Sequence, residues 1–267
     1  MKIFKLSLIA TSFLLIGCGG GGGSSAPALT DVKTVDDAKT SYKAMSSFKT
    51  MDITEVSDGY SKLVQKTESV ECYNGGSASR YVSDDTKTIK VSYDNCKETG
   101  ELYINGSVEI YSEDKNHIVM TFSNYTSKDV GGEEYANIVI KLGEVNDVIT
   151  VEFDGVINQT TKSNEVNNIS FNNMVLTEKD TSNESWSTID GGVNLKSKCV
   201  TGNYQFTTKE KLVEAKDGTN TIKSGILDIN GATYTFYDDS VTVKTASEER
   251  TITQRELAEE STSTSCN

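Results

Sequence analysis

The 267-residue chain has one histidine, one tryptophan and one proline, and a single long apolar run, at its start. Each scarcity removes a class of chemistry. A Ser-His-Asp triad would have to use His117, but no Gly-x-Ser-x-Gly elbow accompanies it, so His117 reads as an idle residue at the start of a strand-like run. No Cys-x-x-Cys spacing exists, which argues against a tetrathiolate zinc site. Ser46-Ser47-Phe48-Lys49 and Ser112-Glu113-Asp114-Lys115 match a Ser-x-x-Lys spacing, yet the Lys-Thr-Gly and Ser-Asp-Asn elements that give it meaning are absent. Asp84-Asp85 and Asp238-Asp239 offer carboxylates without the alternating acidic loop that wraps calcium, and they read as solvated turns. No glycine loop sits between a strand and a helix to cradle phosphate. No metal, cofactor or catalytic residue is therefore assigned, and the chain is expected not to be an enzyme.

Charge narrows the field further. Loss of Lys2 and Lys5 with the leader takes the formal charge from −13 to −15 for residues 18–267. A body so acidic repels phosphate backbones, which excludes nucleic acid as a partner class.

What is present begins at the N-terminus. Lys2 and Lys5 precede an apolar run from Leu6 to Ile16, with the charge and length of a secretion signal and too few residues to span a bilayer. The run ends in Leu15-Ile16-Gly17-Cys18, which resembles the lipobox of bacterial lipoproteins. The resemblance covers about the first twenty residues and implies cleavage before Cys18, lipid on that thiol, and stable membrane attachment through two or three acyl chains. Gly19 follows the cysteine, where aspartate favours the inner membrane in such proteins, so an outer-membrane location in the cell envelope is expected. Gly19 to Gly23, Ser24 and Ser25 form a tether of coil-like composition; ten such residues span about 17 Å. Residues 18–33 are assigned to this tether.

Four further cysteines, Cys72, Cys96, Cys199 and Cys266, lie in a chain addressed to an oxidising compartment, where an even number signals disulfides. Three connectivities are open. Pairing Cys72 with Cys96 and Cys199 with Cys266 is favoured because each bridge then clamps one end of the body.

Residues 34–68 carry a helical pattern. Thr34 and Asp37 have capping-box spacing, and Ala38, Tyr42, Met45 and Phe48 recur on one side. Val56, Tyr60, Leu63 and Val64 suggest a second helix, weakened by Gly59. From residue 69 to 267 the apolar period drops to two, as in Ile89, Val91 and Tyr93, in Ile138, Ile140 and Leu142, and in Ile149, Val151 and Phe153. Weak repeats run through this region. Gly100 to Gly106 returns as Gly225 to Gly231, and Tyr93-Asp94-Asn95 is echoed by Phe122-Ser123-Asn124 and Phe171-Asn172-Asn173. Phe122 follows Gly106 by sixteen residues, as Phe171 follows Gly155. The Asn-Gly pairs suit tight hairpins, but Asn105-Gly106 and Asn230-Gly231 sit inside alternating runs and are open to a reading as bulges. The expected fold is mainly β: a long antiparallel meander forming a curved sheet or open barrel, with one or two N-terminal helices packed on it.

The cysteine, Tyr-x-Asn-Cys and Asn-Gly arrangement of the body resembles uncharacterised exported lipoproteins of Gram-negative bacteria, a likeness that implies no activity. Five Asn-x-Ser/Thr triplets, at Asn105, Asn124, Asn158, Asn168 and Asn183, are read as part of the general Asn and Ser richness. The functional expectation is non-enzymatic binding or scaffolding at a membrane, the partner an envelope protein. The alternatives are a carrier of lipid or another apolar ligand in the sheet concavity, and a surface adhesin or assembly component.

Overall fold

The computed structural model describes residues 28–49, 72, 74–97, 102–114, 116–129, 132–161, 166–182, 185–197, 200–215 and 221–258. In chain order the elements are α1 (Val35–Lys49), β1 (Ser77–Val82), β2 (Thr88–Lys97), β3 (Tyr103–Asp114), β4 (His117–Asp129), β5 (Gly132–Val145), β6 (Val148–Thr161), β7 (Val166–Asp180), β8 (Ser185–Lys196), β9 (Thr201–Glu214), β10 (Ile222–Ile229), β11 (Ala232–Tyr237), β12 (Ser240–Lys244), β13 (Glu249–Thr253) and a last short helix, α2 (Gln254–Ala258). The strands form one antiparallel sheet in which spatial order equals sequence order, so every connection joins neighbours. The sheet is open: β1 and β13 are its two edges.

Helix α1 starts where its capping box predicts. The Asp37 amide donates to Thr34 Oγ1 (3.1 Å) and the Thr34 amide to Asp37 Oδ2 (2.9 Å), so each side chain satisfies an amide that the helix leaves unpaired. These bonds hold the Asp37 carboxyl below the usual carboxylate range. The buried stripe is Val35, Ala38, Ser41, Ala44 and Met45, with Tyr42 half-buried beside it. The Phe48 side chain and the whole second helical segment expected at residues 56–64 lie outside the described residues, as does Cys199. Helix α2 was not expected; Gln254 fixes its start by donating through Nε2 to the carbonyls of Ile222 (2.6 Å) and Asp238 (2.5 Å).

The apolar face of the sheet is continuous with α1. Ile110, Met120, Ile140, Phe153, Phe171, Val193, Phe206, Leu227, Tyr234 and Val243, one from each of ten successive strands, are all buried in one cluster. The largest side chains of the core, Tyr204, Phe206, Tyr234 and Phe236, are almost wholly removed from water, with Tyr234 and Phe236 against Tyr42 of α1. Burying side chains of this size contributes about 1.5–3 kcal/mol each, set against the ordering entropy of the chain. The Tyr234 hydroxyl keeps its polarity satisfied by donating to the Ala38 carbonyl (2.8 Å), 2.7 Å from the Ser41 hydroxyl.

The repeats seen in the sequence mark a line of bulges. Between Tyr93 and Cys96, between Phe122 and Tyr125 and between Phe171 and Met174, one residue more than simple alternation allows separates two side chains of the apolar face. The extra residue preserves the facing of both halves of a strand and bends it. In each, the asparagine (Asn95, Asn124, Asn173) adopts a left-handed backbone, with φ of 48°, 47° and 47°. Across from these positions the neighbouring strand comes so near that a Cβ on Gly106 or Gly191 would collide with the Asn124 or Asn173 carbonyl, and one on Gly155 with that of Asn137. A Cβ on Gly155 would lie 2.3 Å from that oxygen, at a φ of +130°. The Gly100–Gly106 and Gly225–Gly231 similarity thus joins positions with different roles. Asn105-Gly106 lies within β3 opposite a bulge, whereas Asn230-Gly231, with φ of 51° and 82°, is the two-residue hairpin between β10 and β11.

Gly155→Ala is expected to cost at least about 3 kcal/mol by combining backbone strain with a collision. Gly231→Ala, where nothing lies within 4 Å of the added carbon, should cost about 1–2 kcal/mol from its φ alone. Urea unfolding of the two variants would contradict this picture if their order were reversed. Burial also pushes the Tyr204 phenol up to about 12 and that of Tyr234 upward as well, against the opposing hydrogen bond from Ser41. A phenol that ionises less readily in the fold than in the unfolded chain contributes stability that is complete below pH about 10 and is lost as the pH climbs through 12. In an alkaline titration followed by phenolate absorbance, part of the twelve tyrosines should ionise only as the β circular dichroism collapses. Ionisation of all of them with the fold intact would be the contrary result.

Candidate functional site

The residues singled out by sequence are scattered, and most have local structural employment. Cys72 is bonded to Cys96, the pairing favoured above, with Cys96 fully buried one residue beyond the Asn95 bulge. Beside the bridge, the Asn74 amide donates to the Lys97 carbonyl (3.4 Å) and the Lys97 amide to that of Gly75 (3.0 Å), so the bond clamps the approach to edge strand β1. Cys18, Cys199 and Cys266 lie outside the described residues.

His117 opens β4 with Nδ1 3.0 Å from both oxygens of Asp114, an exposed pair in the β3–β4 turn. The Ser112 hydroxyl beside it donates to the Asp114 backbone carbonyl (2.7 Å) rather than to the imidazole, so these three residues are not arranged as a nucleophile and its base. The Asp114 carboxyl is held below the carboxylate range first by the Asn116 amide and then by His117. Asp85 accepts from the Ser83 hydroxyl (2.6 Å) and the Lys87 amide (3.0 Å), which closes a turn. Asp238-Asp239 is the two-residue connection between β11 and β12. Among the described residues no three His, Cys, Asp or Glu side chains gather as a metal site would require, and no helix is long and apolar enough to cross a membrane.

Two surfaces emerge that sequence reasoning had not assembled. The first is the polar face of the sheet. Register places Asn105, Thr126, Tyr135, Asn158, Asn168 and Lys196 side by side across β3 to β8. Three of the five asparagine triplets therefore stand in one transverse row, because each asparagine follows or precedes a core residue on its strand (Ile104, Ile157, Ile169). Two and three rows further along the strands, the face is crossed by ion pairs between adjacent strands, Lys90 with Glu109 (3.4 Å) and Lys141 with Glu152 (2.6 Å). These pairs are exposed and add little stability. Their effect is to neutralise this face locally in an otherwise acidic chain. At its β8–β9 end Trp186 is buried with the Lys211 ammonium 3.5 Å over its ring. Beyond it the strands lose register, and Asp190 and Thr208 repair the gap: the Thr208 amide donates to Asp190 Oδ1 (2.9 Å), and the Thr208 hydroxyl accepts from the Ile189 amide (2.8 Å).

The second is a clamp where the chain enters the fold. The Thr30 amide donates to the Asn203 carbonyl (2.9 Å), and the Asn203 amide to Thr30 Oγ1 (2.8 Å). Asn230 Nδ2 donates to the carbonyls of both Thr30 (2.8 Å) and Asn203 (2.9 Å), while its Oδ1 accepts from the Gln205 amide (2.7 Å). Three residues on, the Lys33 carbonyl accepts from the hydroxyls of Thr245 and Ser247. Ala28 to Lys33 are thereby stitched to the ends of β9, β10 and β12. Nothing in the sequence marks Asn230 for this task, since its partners lie twenty-five to two hundred residues away.

Comparison with known proteins finds no matching family model, no matching curated protein and no matching solved structure.

Asn230→Gly keeps a backbone suited to the tight turn while deleting the clamp. It should lower stability by about 1–3 kcal/mol. Hydrogen exchange is expected to quicken at the Thr30 amide and to stay slow in the core of β11. Unchanged protection at Thr30 would show that the side chain is dispensable.

Proposed function

We propose that this chain is a lipid-anchored, non-enzymatic lipoprotein of the bacterial envelope that binds or scaffolds a partner through the polar face of its meander, with the outer membrane as its location. The observation that carries the binding role is the transverse row from Asn105 to Lys196, a wide amide- and hydroxyl-bearing surface on strands whose opposite sides are committed to the core. Such a face offers many hydrogen bonds to another protein or to a polar polymer, with a charge locally balanced by cross-strand pairs. The anchor rests on Leu15-Ile16-Gly17-Cys18 and the glycine tether after it. Complete burial of Tyr204, Phe206, Tyr234 and Phe236 in the shared core weighs toward surface binding over carriage of an apolar ligand.

Mass spectrometry of the protein from membranes should find an N-terminus at Cys18 carrying diacylglyceryl and acyl mass, and Cys18→Ala should leave the leader attached or the protein unlipidated. A mature N-terminus elsewhere would refute the anchor. For the binding face, a photocrosslinking amino acid placed at Asn158 or Asn168 in living cells should give a discrete adduct that the same group at exposed Tyr237 does not. Absence of adducts at both face positions, with the protein at normal levels, would refute this surface as the working one.

A further inference from the structure

The meander fixes which end of the body is near the lipid. Successive turns alternate between two rims of the sheet. One rim holds the β8–β9, β10–β11 and β12–β13 turns, and the other holds β1–β2, β3–β4, β5–β6 and β11–β12. The N-terminal clamp lies wholly on the first rim: Thr30 is pinned between Asn203 and the Asn230 turn, and Lys33 is held by the Thr245–Ser247 turn. We infer that this rim faces the membrane and that the opposite rim points away from it, an orientation that rests on the lipid anchor proposed above.

The reach of the tether supports this. Ten residue steps separate Cys18 from Ala28. They cover about 35 Å if drawn straight and about 17 Å as a coil. From Asn203 beside the clamp to the far end of β9 at Glu214 is about 36 Å of strand. A tether stretched to its limit is needed merely to bring the far rim level with the lipid, and stretching it that way forfeits its conformational entropy. Charge works in the same direction. The far rim exposes Asp84, Asp85, Asp114, Asp147, Asp238 and Asp239 against Lys87, Lys211 and Lys223, an excess of acid that phosphate-bearing headgroups repel. The near rim mixes Lys33, Lys196 and Lys244 with Asp31, Glu248 and Glu249. The row from Asn105 to Lys196 then lies toward the lipid side of the polar face, and the acidic turns meet whatever approaches from the aqueous side.

The test uses the purified lipoprotein in vesicles of phosphatidylethanolamine and phosphatidylglycerol containing an acceptor-labelled lipid. A fluorescent amino acid replaces Lys196, exposed at the near end of β8, or Val145, exposed at the far end of β5. Through the register Lys196–Asn168–Asn158–Tyr135 these sites differ by ten residues along the strand direction, about 33 Å. Each labelled protein is checked for native β circular dichroism and for its N-terminal mass. Energy transfer to lipid from position 196 should exceed that from position 145 at least twofold. Equal transfer, as for a body lying on its side, or stronger transfer from 145 would overturn the orientation while leaving the anchor standing. An unacylated N-terminus that fails to sediment with vesicles would sink the anchor, and the orientation with it.

Discussion

The fold depends on one repeated close approach, between a glycine on one strand and a backbone carbonyl on the next, along a line that crosses the sheet from Asn95 through Asn124 and Asn137 to Asn173 and Gly191. At each bulge an asparagine in the left-handed region absorbs an extra residue, and the glycine opposite leaves room for the carbonyl that this turns toward it. Among the long strands β3 to β7, the extra residue lies in β4 and β7, as it does in β2 nearer the edge. β4 and β7, each broken once near the middle, present two apolar segments to the same side, while β3, β5 and β6 keep simple alternation beside them. The bulge thus keeps both halves of β4 and β7 on the apolar face that they share with their unbroken neighbours.

At the other end of the meander the strands shorten to five or six residues, and helices take over the covering of the apolar face. Tyr234 couples the two layers through its ring, 6.0 Å from that of Tyr42, and through its hydroxyl on the Ala38 carbonyl. Lys39 reaches Glu256 of α2 (3.3 Å), so the first and last helices meet over the same short strands. The point of chain entry is fixed on this assembly by backbone pairing, which ties the direction of the N-terminal tether to the direction of the strands.

Chemistry follows from that division of faces. One side of every long strand is consumed by the core, so what the protein offers to others must come from the opposite side and from the turns. The asparagines that looked like compositional noise along the chain become a row in space, and the lone histidine becomes half of an exposed turn pair with Asp114. The opposite signs paired across β2–β3 and β5–β6 make the polar face nearly neutral, leaving the surplus of acid at the rim turns.

Much of this was written locally and was therefore legible. The period-two runs gave the strands and Thr34 and Asp37 gave the helix start, because each depends on residues within a few positions of one another; the recurring aromatic-polar-asparagine triplets were visible as repeats, but the bulges they mark were not read from them. Short-range sterics and hydrogen bonds decide such features, and the sequence carries them whole. The tertiary structure alone decided that Asn105-Gly106 lies within a strand opposite a bulge while the similar Asn230-Gly231 turns a hairpin, that Asn230 grips Thr30 two hundred residues away, and that Asn105, Asn158 and Asn168 share a row. Register and long-range contact arise from the simultaneous packing of many strands against one core, and no local pattern encodes which distant partner that packing will supply.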